Sequence, residues 1–195
     1  MLLQNYKMMK PTVYVFLFDE FIDWEVGYVM PGLIHSGKVK VKSFSIDGKK
    51  VVSAGSLHVE PELSLQDVAI DENAILILPG GVPWEEKKIT RMDDTVQEFL
   101  EKGKAVGAIC SATAYLGQLG VLDDVIHTSN GLRYLKKNAP DYNGESLYMD
   151  LPAVQSDKVV TASGTSSVEF AKEIFSLTHA YTEEELEEWY LLFRM

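Results

Sequence analysis

One cysteine occurs in 195 residues, and it stands where chemistry is possible. Residues 105–120 read AVGAICSATAYLGQLG, an apolar strand-like run that meets Cys110 and passes at once into small residues with a helical pattern. A strand giving way to a helix within about two residues forces a tight turn, so Cys110 is expected on a nucleophile elbow, although the residues around it are not G-x-S-x-G. The free N–H groups and dipole of the following helix would favour a thiolate, which should then titrate below the ~8.5 of a free cysteine. The competing reading is an inert buried thiol.

Three other segments carry groups that could join it. ILPGGVPW (77–84) ends a buried run in two glycines, whose backbone N–H groups can turn toward developing negative charge on an oxygen. Gly80 and Gly81, with Trp84 closing the segment, are candidate oxyanion- or substrate-binding residues; a plain βα turn is the alternative. FDEFIDWE (18–25) crowds four carboxylates behind the first strand. Asp19, Glu20 and Asp23 suit a solvated loop or a helix cap, whereas Glu25 follows Trp24 in the first turn of a helix and can point back along the sheet edge. IHTSNG (126–131) offers His127 and hydroxyls, and His127 is either catalytic or structural.

The elements that must position these groups read as alternating strand and helix. TVYVFLF (12–18), VKVKSFSI (39–46), AILILP (74–79), AVGAIC (105–110) and KVVTAS (158–163) are strand-like, three of them apolar almost without alternation. Helical patterns cover 25–35, 95–102, 112–119 and 166–177, with Gly37, Gly103 and Gly120 as stop signals. Strand then helix, repeated, implies an α/β fold with a parallel sheet covered on both faces, and ligands at the carboxyl ends of the strands. KKVVSAGSLHVEPEL (49–63) reads instead as short antiparallel strands at an edge.

Composition narrows the function. With 46% hydrophobic residues the chain can build a sizeable core, and a single domain over 1–195 is expected. A net charge of -11 repels phosphate backbones and anionic lipid, so neither nucleic acid nor membrane is an expected partner. One cysteine forms no internal disulfide and supplies no thiolate metal cluster, so no metal is expected and a cytoplasmic location is. The start, MLLQNYKMMKPTVYVFLFDE, has too short an apolar run for a signal peptide, and no stretch approaches the ~18 apolar residues of a membrane span. Residues 1–10 are read as an extension. At the other end, Thr182 and Glu185 form a capping box ahead of a helix over about 182–193, whose stripe Leu186, Trp189, Tyr190 and Phe193 would close over the core or meet a partner.

Taken in order, TVYVFLF with DEFIDWE, ILPGG, AICSATAYLGQLGVLDD, HTSNG and TASGTSSVEFAKEIF resemble the ThiJ/PfpI superfamily of class I glutamine amidotransferase-like proteins, which includes the DJ-one group, over roughly 12–178. The resemblance implies a flavodoxin-like three-layer sandwich with a mostly parallel sheet, usually a homodimer, with the cysteine on a strand-to-helix elbow. It matches Cys110 to the nucleophile, Glu25 to the glutamate that contacts the sulfur, and Gly81 and Ser111 to the backbone N–H donors facing it.

Departures limit what carries over. Glutamine amidotransferases have a His-x-Glu far downstream, but here His179 is followed by Ala180 and Tyr181, which disfavours glutamine hydrolysis. The PfpI protease branch has a histidine directly after the cysteine, where this chain has Ser111. His127 is the remaining candidate base. A cofactor-free, cysteine-dependent reaction on a small electrophile is therefore expected, glyoxalase-like on a reactive aldehyde or hydrolytic on an amide- or nitrile-like group. The alternative is a redox-sensing or stress-response protein whose Cys110 is oxidised to sulfinate. Flavin binding is set aside, because DEFIDWE would repel a phosphate after the first strand.

Overall fold

The computed structural model describes residues 10–194, so the expected extension lies, but for Lys10, outside the described residues. The elements run β1 (Thr12–Phe16), α1 (Asp23–Val26), α2 (Val29–Ser36), β2 (Lys40–Ser45), β3 (Val51–Val52), β4 (His58–Val59), β5 (Leu63–Ser64), β6 (Ala74–Leu78) and α3 (Val82–Glu85). They continue with α4 (Asp93–Glu101), β7 (Ala105–Ile109), α5 (Ser111–Gln118), α6 (Leu132–Asn138), β8 (Ala153–Ser156), β9 (Val159–Ala162), α7 (Ser167–Thr178) and α8 (Glu183–Phe193).

Seven strands form one sheet in the order β5-β2-β1-β6-β7-β9-β8, parallel throughout except for β8 against β9. Every residue of β1, β6, β7 and β9 is buried, which is why these segments read as continuous apolar runs. Helices α1, α2, α7 and α8 pack together on one face, and α3, α4, α5 and α6 cover the other. This is the α/β flavodoxin-like sandwich the sequence implied. From β1 the chain first builds outward to β2 and β5, then returns to place β6 on the other side of β1. The order of strands therefore reverses between β1 and β6, where a crevice opens at their carboxyl ends.

Three local expectations change. The helix expected over 25–35 is broken into α1 and α2, because the ring of Pro31 opposes the carbonyl of Gly27, one turn earlier. β3 and β4 do pair antiparallel, but as a separate two-stranded ribbon; the sheet edges are β5 and β8. Asp19 and Asp23 cap no helix. Asp19 accepts from Val52 N at 2.9 Å and Asp23 from Ser53 Oγ at 2.6 Å and Gly55 N at 2.9 Å, so the acidic loop holds the ribbon. Strand β8 and helix α6 carried too little periodicity in four and seven residues to be seen in the sequence.

The C-terminal helix forms as expected, with the Thr182 and Glu185 capping box in place. Leu186 is buried, and Trp189 meets Phe175 edge-on at 4.8 Å and Tyr28 at 6.4 Å, so α8 closes over the α2 and α7 layer.

Candidate active site

Cys110 is the residue between β7 and α5, with φ 60° and ψ -126°. Such a conformation strains a residue with a side chain and is held by surrounding bonds. Its N–H donates to Ala162 O at 3.0 Å on β9, and its carbonyl accepts from Thr113 N at 3.1 Å and Thr113 Oγ1 at 2.6 Å inside α5. The expected elbow is present, and it leaves the thiol half-buried at the carboxyl end of the sheet.

Glu25 reaches the thiol from across the strand reversal. The loop after β1 is tied to the loop after β6 by Ile22 N donating to Gly80 O at 3.0 Å. In return, Gly80 N donates to Glu25 Oε2 at 2.6 Å. Glu25 is 1% exposed, and apart from the cysteine sulfur its Oε1 has no partner among the described residues. Two glycines make the approach possible. A Cβ on Gly80 would lie 2.7 Å from Cys110 Cβ and 2.8 Å from Glu25 Oε2, and one on Gly164 would lie 2.7 Å from Sγ and 3.2 Å from Oε1.

Burial raises Glu25 from 4.5 to about 7, against the opposing bonds from Gly80 and Cys110. The thiol moves up as well. Burial first, then the Glu25 charge, pushes Cys110 to about 11, outweighing the Asn130 amide and the Ser111 N–H. The expectation of a depressed thiol is therefore not met: the helix N-terminus contributes less than desolvation and the neighbouring carboxylate. At neutral pH the proton rests on sulfur, and Glu25 is a carboxylate-acid couple poised to receive it.

The expected oxyanion donors are placed differently. Gly80 N–H is spent on Glu25, and Gly81 N–H donates to Ser111 Oγ at 2.8 Å while Ser111 Oγ donates to Gly81 O at 2.9 Å. Gly81 thus ties the β6 loop to the elbow instead of facing the cleft. Ser111 N–H does act on the sulfur. Trp84 is 1% exposed, stacks on Tyr115 at 4.2 Å and donates Nε1 to Pro79 O at 2.8 Å, so it is core; the cavity it borders lies with Tyr115 and Leu119, away from the thiol.

His127 also lies outside the cluster. Its ring is fully buried, with Nδ1 bonded to Val125 O and Nε2 to Tyr142 Oη, both at 2.7 Å. Burial moves its pKa down. The groups acting on Cys110 are Glu25, Asn130 and Ser111, with no histidine among them.

Asn130 joins the site from outside the set of residues the sequence predicts. Its Nδ2 donates to Sγ at 3.3 Å and its Oδ1 accepts from Gly164 N at 2.8 Å. The neighbouring Ser129 is fastened to Thr113 of the elbow helix, hydroxyl to hydroxyl at 2.6 Å. Beyond Asn130 stands Tyr134, whose hydroxyl donates to Glu85 at 2.8 Å and interacts with Asn130 and the Cys110 charge. The signals available were Asn130-Gly131 and Ser163-Gly164, two small turns at strand-like ends.

The arrangement can do one thing well. A buried carboxylate near neutrality takes a thiol proton, and a sulfur nucleophile is freed between donors that can hold an oxygen. Among the described residues there is no cluster of metal-ligating side chains, and no helix is long and apolar enough to cross a membrane.

Comparison with known proteins places the fold among known relatives. The sequence profile of the DJ-1/PfpI family matches residues 11–177. An uncharacterized protease of Bacillus subtilis, YoaZ, is 33% identical over 193 residues, covering 95% of this chain and 91% of that protein. The crystal structure of a thiJ/pfpI family protein from Bacillus anthracis superposes with a TM-score of 0.90 at 34% identity, covering 95% of this chain and 91% of the other. A DJ-1 superfamily protein from Agrobacterium tumefaciens superposes with a TM-score of 0.86 at 33% identity, over 93% of this chain and 97% of the other.

Proposed function

The chain belongs to the DJ-1/PfpI family, and from that premise we propose that it is a cofactor-independent, cysteine-dependent enzyme acting on small electrophilic carbonyl compounds. The observation that carries this reading is the pairing of Cys110 with a buried Glu25 raised to about 7. A general base works best when its pKa lies near the operating pH. Glu25 as carboxylate takes the thiol proton while sulfur bonds to the carbonyl carbon. The C=O π pair moves to oxygen, and the proton passes from Glu25 to that oxygen, giving a neutral thiohemiacetal and the carboxylate again. Ser111 N–H and the Asn130 amide are the donors beside the new C–O bond.

With a 2-oxoaldehyde the same carboxylate can remove the hydrogen on the sulfur-bearing carbon as a proton, leaving an enediol, and deliver it to the adjacent carbon, while the thiohemiacetal hydroxyl proton passes to the neighbouring oxygen and the sulfur-bearing carbon becomes a thioester carbonyl. Water then cleaves the resulting thioester to a 2-hydroxy acid and free thiol. Hydrolysis of an amide- or nitrile-like group would use the same nucleophile. The Bacillus subtilis relative carries the word protease in its name, but a peptidase reading of this chain lacks a histidine at the sulfur. The proposal includes one domain per subunit and a homodimer, for which light scattering should give twice the 21.8 kDa chain mass.

One observation favours a second reading, redox sensing. Below its pKa of about 7, Glu25 carries a proton on a carboxyl whose Oε1, among the described residues, faces only sulfur, and so can donate to a sulfinate. Two peroxide molecules would oxidise the thiolate through sulfenate to sulfinate, each losing water. Methylglyoxal separates the two readings. Its consumption by the wild type and not by Cys110→Ser supports the enzyme. No consumption, with a peroxide-dependent gain of two oxygens on Cys110, replaces it by the sensor.

A further inference from the structure

Asn130 is a wall with two sides. One faces the Cys110 sulfur, and the other lines a cavity of about 410 Å³ whose remaining polar walls are Ser129, Asp150, Ser163, Thr165 and Ser166. We propose that this cavity is the subsite for the tail of the carbonyl substrate, and that it selects hydroxyl-bearing tails and rejects anionic ones. The inference rests on Cys110 being the nucleophile of the proposed reaction.

Three features point to that chemistry. First, the hydroxyls are mutually bonded and can exchange roles: Ser163 Oγ lies 2.7 Å from Ser166 Oγ and 3.2 Å from Thr165 Oγ1, and either member of each pair can be donor. A ligand hydroxyl, itself donor and acceptor, can enter such a set by rotating protons. Second, the lining holds no lysine or arginine, and its one ionisable group, Asp150, has no hydrogen bond or ion pair among the described residues. An incoming carboxylate or phosphate would meet an uncompensated like charge. Third, the cavity is anchored to the nucleophile by Gly164 N–H on Asn130 Oδ1 at 2.8 Å, between Ser163 and Thr165. A tail seated there is carried past Asn130 to the sulfur. The volume is in the range of small-molecule sites.

Because the chain has one cysteine, the mass of the labelled protein reads this site alone. Cys110 is labelled with trimethylammonioethyl and with sulfonatoethyl methanethiosulfonate, each rate divided by that of neutral methyl methanethiosulfonate. The cationic reagent should be faster, and Asp150→Asn should lower the cation-to-anion ratio about three- to tenfold at low salt. Glu183→Gln, the same change in net charge on remote α8, should leave the ratio unchanged. Equal effects of the two variants, or no effect of Asp150→Asn, overturn the charge selection.

For the hydroxyl preference, glyceraldehyde and propanal are compared as protectants of Cys110 against iodoacetamide. Glyceraldehyde should protect at lower concentration, and Ser163→Ala with Thr165→Val should remove the advantage. Equal protection, or an advantage that survives the double variant, overturns it. None of these readouts needs turnover: if methylglyoxal is not consumed, the proposed reaction fails while the subsite is still measured.

Discussion

Gly80 donates its backbone N–H to Oε2 of Glu25 at 2.6 Å, and this bond leaves Oε1 of the same carboxyl turned on the Cys110 sulfur with no other partner among the described residues. One oxygen is fixed and the other is free to exchange a proton. The carboxyl is thereby held as a base for one thiol, and its buried setting brings its pKa to about 7.

Alkylation of Cys110 by iodoacetamide should therefore rise through an inflection near pH 7, as Glu25 becomes able to take the thiol proton, and rise again toward pH 11. Glu25→Gln should remove the first inflection and slow alkylation at pH 8 about tenfold or more. A single inflection near the value of a free cysteine, unchanged in the variant, would show that the two side chains do not cooperate.

The same shift has a consequence for stability. Glu25 titrates near 4.5 in the unfolded chain and about 7 when folded, so between these values the folded state binds more protons and stability falls as pH rises. Below pH 4.5 both states are protonated and nothing is lost; above 7 the full cost is present, up to about 3 kcal/mol. Urea unfolding of wild type and Glu25→Gln should thus diverge from pH 4.5 to 7, with the variant gaining relative stability at the higher pH. Parallel curves would contradict a buried, raised Glu25.

His127 and Asn130 should exchange the roles their residue types suggest. His127→Ala breaks two buried 2.7 Å bonds and should cost about 2–4 kcal/mol of stability while leaving the alkylation profile where it was. Asn130→Ala should do the opposite, moving the upper inflection of Cys110 further up with little effect on the urea midpoint.

At Gly164, alanine would place a methyl 2.7 Å from Sγ. The thiol must turn away from Glu25 to make room. The near-neutral inflection should disappear as in Glu25→Gln, and mass spectrometry of the alkylated protein measures this. An unchanged profile would mean that the site relaxes around the added carbon.

Trp84→Ala should behave as a core deletion, costing about 3–5 kcal/mol in urea unfolding, and Trp84→Phe should lose less. Neither should change the ratio of cationic to anionic labelling, since the indole borders Tyr115 and Pro79 and not the thiol's cavity.

What could be known from the sequence was what local order alone determines. Buried parallel strands are mostly apolar, so β1, β6, β7 and β9 were readable, as was β2 from its alternating VKVKSFSI run, and as were the helix stops at Gly37, Gly103 and Gly120, all at positive φ. Cys110 on an elbow followed from a strand abutting a helix, and Glu25 followed from a resemblance that the structure then places against the sulfur. What only the tertiary structure decided was which way each polar group spends its bonds. Gly81 N–H serves Ser111, His127 serves Tyr142, Trp84 serves the core, and Asn130 is the amide left to face the thiol. The thiol's upward shift belongs to the same class. It comes from burial and from a carboxylate brought across a strand reversal, and spacing along the chain encodes neither solvent exclusion nor contact between distant loops.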